Sequence, residues 1–161
     1  IRAAAQVSGS VVVVLAPGAP EPRVPPGVTT RFARDAVEGE GPLEGAYAGL
    51  LAAASELAVL VAGDMPEVVP AVLTEMVRVA GETQADAVAL RDGDRSRPLP
   101  VVVRVEPARA AVERLLHAGR RRLRELLGEL RLAVVEEATW HAFDPERRTL
   151  LDVDEPGDLE R

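Results

Sequence analysis

The sequence contains no cysteine and no lysine. The first absence excludes disulfides and thiol chemistry, and fits a cytoplasmic protein. The second leaves all 19 basic residues as arginine, which we read as the mark of an arginine-favouring genome. Aromatics are scarce at 2%, so the core must be built from Val, Leu and Ala, a mix suited to parallel strands under helices. No apolar run reaches the length of a membrane span, and no secretory signal is visible, so no membrane association is expected. A formal net charge of -7 makes the surface as a whole repel nucleic acid. A phosphate-bearing ligand must then be held by local dipoles, a metal or a few placed arginines.

What is present is an ordinary globular composition, 47% hydrophobic and 28% charged over 161 residues, enough for one domain with a real core. The chain begins Ile1-Arg-Ala-Ala-Ala-Gln6, without Met, and reads as a fragment opening on the end of a helix closed by Ser8 and Gly9. Val11 to Leu15 is an expected strand, followed by a Pro- and Gly-rich loop and a second strand near residues 28–33, with Asp35 just beyond it. Further strands are expected at 57–64, 85–90, 98–104, 132–136 and 150–153. Expected helices are 43–54, 68–80, 107–116 and 120–130, with another opened by Pro156. Residues 91–97 read as a polar loop. Alternation of this kind implies an α/β fold: three layers, α/β/α, around a mostly parallel mixed sheet.

The most informative residue is Asp64, which ends the run Leu57-Ala-Val-Leu-Val-Ala-Gly-Asp64. A short apolar run bounded by Gly63 and Pro66 reads as a buried strand. In open α/β sheets ligands bind outside the carboxyl ends of the strands. A carboxylate there suits Mg²⁺, which uses one or two carboxylates plus substrate phosphates. The plainer alternative is that Asp64 caps the next helix. The turn Gly41-Pro42-Leu43-Glu44-Gly45 puts free N–H groups and the positive end of a helix dipole at one spot, favourable to an anion. Pro42 near the first helical position does no harm there. A plain tight turn is the competing reading. Asp152 and Asp154 fall on one side of a short strand, where like charges call for a cation, unless Asp154 only caps the helix after it. The run Arg120–Arg122 with Arg124 reads first as a solvated helix face and second as a phosphate contact. His117 and His141 are isolated, and Trp140 and Phe143 are expected to seal a core edge.

In this order, Asp35 followed by GPLEG, then LVAGDMP, RPLPVVVR, LLHAGRRRLRELL and DVDEPGDL resemble the molybdenum cofactor guanylyltransferases, nucleotidyltransferases similar to molybdopterin-guanine dinucleotide biosynthesis protein A. The likeness spans nearly the whole chain. It implies a Rossmann-like, nucleotide-diphospho-sugar transferase-like fold and transfer of GMP from GTP to molybdopterin, with release of pyrophosphate. By resemblance, Asp64 is the Mg²⁺ ligand, helped by Asp154. Asp35, Gly41, Pro42, Leu43 and Gly45 contact the nucleotide, while Arg97, Pro98 and Asp152 line the acceptor side. Implied partners are the two small molecules and a transient contact with proteins that mature molybdoenzymes.

Two departures stand out. Asp152 and Asp154 replace the Asn common in the family's C-terminal motif. The family's glycine-rich LAGG loop, with its Arg-Met-Gly and Asp-Lys, is missing, so residues 1–161 are expected to form one domain lacking its first strand and phosphate loop. A cytidylyltransferase, a guanylyltransferase for another phosphorylated metabolite, and a non-catalytic relative are the alternatives. By resemblance alone, the Met in Gly63-Asp64-Met65-Pro66 leans towards guanylyl transfer.

Overall fold

A computed structural model describes residues 1–35 and 41–151. In chain order the elements are α1 (Arg2–Val7), β1 (Val11–Leu15), β2 (Thr30–Arg34), α2 (Pro42–Ala52), β3 (Leu57–Leu60) and α3 (Pro70–Glu82). There follow β4 (Ala87–Asp92), β5 (Arg95–Arg104), α4 (Val105–His117), α5 (Arg124–Glu129), β6 (Leu132–Val135), α6 (Glu137–His141) and a 3-10 turn at Arg148–Leu150.

β1 and β2 form a parallel pair, and the other four strands form a sheet in the order β3-β5-β4-β6. β5 runs antiparallel to both of its neighbours, and β6 is parallel to β4. Within that sheet β3, β4 and β6 therefore point one way and only β5 opposes them. The interior strands are Val- and Ala-rich because both of their faces are covered. Alternation then divides their side chains between the faces. Ala87, Ala89, Val101 and Val103 pack with Leu43 and Leu50 of α2, Ala108 and Val112 of α4, and Leu126 of α5. Val88, Leu90 and Val102 pack with Val72, Leu73 and Met76 of α3, Trp140 of α6, and Ala3 and Val7 of α1. The expected three layers are present.

Several boundaries differ from the sequence reading. β3 stops at Leu60 rather than reaching Asp64, and residues 63–64 turn instead. Residues 91–97 are not a free loop: β4 and β5 pair across them as a hairpin, Arg91 with Ser96 and Asp92 with Arg95. Arg120–Arg122 lie between α4 and α5 and on neither helix, which removes the helix-face reading for those three. The strand expected at 150–153 meets a 3-10 turn at its first residue, Arg148–Leu150, and its residues 152–153 lie outside the described residues. Trp140 is fully buried as anticipated, whereas Phe143 is 46% exposed and seals nothing. Asp152, Asp154 and the helix expected from Pro156 lie outside the described residues.

Two buried aspartates fasten the layers. Asp86 accepts two hydrogen bonds of 2.7 Å from the Arg131 guanidinium, tying β4 to the start of β6. Asp144 accepts from the backbone N–H of Arg148 at 3.0 Å and of Thr149 at 2.7 Å. The Val69 N–H donates in turn to Thr149 Oγ1 at 3.1 Å. This chain of bonds ties the start of α3, and the loop before it, to the far end of the sequence.

Candidate functional site

Met65 and Val68 are buried in the core beneath α3. With Met65 facing inward, the preceding Asp64 is turned outward at the carboxyl end of β3, and it is exposed. The Asp64 side chain makes no hydrogen bond or ion pair among the described residues. Nor does it cap a helix: α3 begins at Pro70 with Val69 as its N-cap, and no side chain caps it. The capping alternative is removed.

Because β5 opposes β3, the start of β5 lies at the same end of the sheet as the end of β3. The register pairs Leu57 with Arg104 and Leu60 with Val101. The ladder ends at that pair, with Asp64 four residues further along the chain and Arg97 four residues before Val101. Asp64, Arg97 and Pro98 thus share the carboxyl edge of the sheet, as do the ends of β4 and β6. A guanidinium of this edge, Arg97 Nη1, lies 3.7 Å from Asp92 Oδ2.

The second group gathers at the N-terminus of α2. Gly41 is its N-cap, with φ 94°, and no side chain caps the helix. That φ lies in the region open to glycine and costly for other residues. Pro42 follows at the first helical position. The Leu43 side chain is fully buried in the core, so any nucleotide contact at this position comes from its backbone. Asp35 extends the β1–β2 ladder by one bond, its N–H donating to Leu15 O at 3.0 Å. Its carboxylate lies over Gly45, where an added Cβ would stand 3.4 Å from Oδ1. Asp35 Oδ1 is buried and has no hydrogen-bond partner among the described residues. An orphaned buried acceptor is costly, which suits a site completed by a ligand's donors.

Residues 1–134 match the model of the MobA-like NTP transferase domain. The chain belongs to this family. It is 38% identical over 120 residues to a "probable molybdenum cofactor guanylyltransferase" of Mycolicibacterium paratuberculosis, covering 73% of this chain and 58% of that protein. A protein of the same name from Chloroflexus aggregans is 32% identical over 136 residues, covering 83% and 64%. The chain therefore spans about three-fifths of the length of these curated relatives. Among solved structures, molybdopterin-guanine dinucleotide biosynthesis protein A from Archaeoglobus fulgidus superposes with a TM-score of 0.69 at 27% identity, covering 81% of this chain and 65% of that one. The 2-C-methyl-D-erythritol 4-phosphate cytidylyltransferase of Thermus thermophilus gives the same TM-score at 20% identity over 98% of this chain and 82% of that one, a likeness of fold.

In this MobA-like chain one neighbour of the α2 turn escaped the sequence reading. A Cβ added at Gly41 would meet Arg121 O at 3.2 Å and Arg121 Cβ at 3.4 Å, so the arginine-rich segment packs directly on the glycine turn. The three arginines after Gly119 were visible as a run, but nothing local tied them to residue 41. The fit to a metal can be judged from the donors present. No group of three or more His, Cys, Asp or Glu able to hold an ion occurs among the described residues. One free, outward carboxylate at a sheet edge suits a Mg²⁺ that takes its remaining ligands from phosphate and water, and does not suit a protein-caged ion. A cleft of about 340 Å³ lined by Ser55, Glu56 and Arg104 lies at the opposite, amino end of β3. It is remote from this chemistry.

Proposed function

We propose that the intact protein transfers GMP from GTP to molybdopterin and releases pyrophosphate, with a divalent metal, Mg²⁺, at Asp64. The observation that carries the reading is the unpaired Asp64 carboxylate at the carboxyl edge of the sheet in a chain of the MobA-like family. The names of its relatives support the guanylyl branch. In the reaction, a terminal phosphate oxygen of molybdopterin attacks the α-phosphorus of GTP. The bond from that phosphorus to the bridging oxygen breaks, and pyrophosphate leaves with the electron pair. Nucleotidyl transfer needs little covalent help, chiefly in-line positioning and neutralisation of charge on the phosphate oxygens. Asp64 would hold the metal, which supplies part of that neutralisation when bound. The uncapped start of α2 and the Asp35 carboxylate over Gly45 supply the nucleotide cradle, through backbone N–H groups and a buried acceptor. Arg97 and Pro98 face the acceptor, with Asp152 and Asp154 on the segment beyond. The product passes to proteins that mature molybdoenzymes, in the cytoplasm.

The test is to incubate intact protein with molybdopterin, Mg²⁺ and either GTP or CTP, and to measure dinucleotide and pyrophosphate. Formation with GTP supports the reading. Formation with CTP alone makes the protein a cytidylyltransferase, and formation with neither removes molybdopterin as the acceptor.

A further inference from the structure

The β4–β5 hairpin at the candidate edge is held in place from outside the sheet by Arg147. This is the one non-glycine residue with positive φ among those described, at 59°, a conformation uncommon for side-chain-bearing residues. That turn of the backbone delivers its guanidinium to Asp92 Oδ1 and Glu137 Oε1 together. The same group lies 5.2 Å from the centroid of the Trp140 ring, within the range of a cation–π contact. Glu137 Oε2 accepts from the Gly93 N–H at 3.0 Å, and Trp140 Nε1–H donates to Arg91 O at 2.7 Å. The β4 limb of the hairpin and the turn after it are thereby fixed to α6 and the segment that follows.

Arg147 occupies one oxygen of Asp92 and leaves the other directed at Arg97, 3.7 Å away. One carboxylate sits between two guanidiniums, the first immobilised and the second at the candidate acceptor edge. All three side chains are between 27% and 39% exposed, and ion pairs of that exposure add little stability. The chain places a further acidic residue, Asp64, at the same end of the sheet, four residues beyond the last pair of the β3–β5 ladder. In the structure the Asp92 carboxylate lies within ion-pair distance of Arg97, and Asp64 makes no ion pair among the described residues.

We propose that Asp92, clamped by Arg147, is a positioning residue that orients Arg97 towards the phosphorylated acceptor. This rests on the acceptor-side reading of Arg97 given above, and the experiment separates the two. Intact protein carrying Asp92→Asn, Asp92→Glu, Arg97→Ala or the pair D92N/R97A is assayed for the KM of molybdopterin, the Kd of GTP and the melting temperature. Asp92→Asn is expected to raise the molybdopterin KM about tenfold while GTP affinity stays within about twofold, with Asp92→Glu recovering part of the loss. Arg97→Ala raises the same KM at least as much, and the double variant matches Arg97→Ala alone, since two residues acting through one contact are not additive. A normal KM in Asp92→Asn beside a raised one in Arg97→Ala overturns the positioning role alone. So do additive losses, or a fall in GTP affinity and melting temperature equal to the loss in KM. A normal KM in Arg97→Ala removes the acceptor-side reading, and the positioning role with it.

Discussion

Replacing Asp64 with Ala separates the two uses open to an aspartate in this loop. Its carboxylate is exposed and makes no hydrogen bond or ion pair among the described residues, and α3 takes its N-cap from Val69. The fold therefore loses almost nothing: an exposed substitution of this kind stays within about 0.5 kcal/mol. For a chain of this length that is a melting shift of roughly 2 °C or less. A charge-stabilising group at the reacting phosphates, by contrast, is worth ~2–4 kcal/mol in the transition state. At about 1.4 kcal/mol per factor of ten, kcat/KM should fall about 30- to 1,000-fold. The assay is dinucleotide formation from GTP and molybdopterin at saturating Mg²⁺, with the melting curve of each variant recorded beside it. An unchanged melt with turnover within about threefold of the parent would refute the assignment of Asp64. A drop of ~1 kcal/mol in stability at full activity would restore the capping role that the structure removes.

Gly41→Ala places a side chain at φ 94° and within 3.2 Å of Arg121 O. A backbone at φ 94° and ψ 172° is reached essentially by glycine alone and costs another residue about 1–3 kcal/mol, so urea unfolding should show a loss of that size, and GTP binding should weaken as the start of α2 moves. Asp144→Ala removes a buried acceptor from two backbone N–H groups. Unfolding should show a loss of ~3 kcal/mol, about 6–12 °C in melting temperature. Burial alone would raise the Asp144 carboxyl, but the hydrogen bonds from Thr149 and Arg148 outweigh it and hold it below the ordinary range. Hydrogen bonding from Arg131 does the same for Asp86. With folded values below unfolded ones, their stabilisation is complete above about pH 4 and drains away as the pH falls through the folded values. Melting temperature followed from pH 7 to about 2.5 should fall steeply at the acid end, and less steeply in Asp144→Asn.

Legibility in the sequence followed the range of the interactions involved. The apolar runs of β1, β3 and β5 announced themselves as short continuous stretches bounded by turn residues, although only β5 has a fully buried stretch and β1 and β3 are half-buried. The outward Asp64 and the Gly41–Gly45 turn could also be read, since Gly and Pro act locally. The β4–β5 hairpin was not, because residues 91–97 carry Arg, Asp and Ser where strand-formers are expected, and the contact of Asp92 with Arg147 comes from about fifty residues later. α6 spans only Glu137–His141, too short to show a helical period. Arg121 looked like part of a solvated face because its closeness to Gly41 exists only after α4 has packed against α2.

The bare positions of α2 have an architectural outcome. A Cβ at Gly49 would stand 3.2 Å from Val14 Cγ2, as one at Gly45 would from Asp35 Oδ1 at 3.4 Å. Two hydrogen atoms thus set how closely the rod descends upon the first parallel ribbon, and with it the altitude of the cradle at its tip. A methyl introduced at Gly49 would require Val14 or the helix to give by a few tenths of an ångström, whereas one at Gly45 would just touch the Asp35 carboxylate. The entrance can then be resculpted only by changing residues beyond these contacts, since the seat beneath it has no slack.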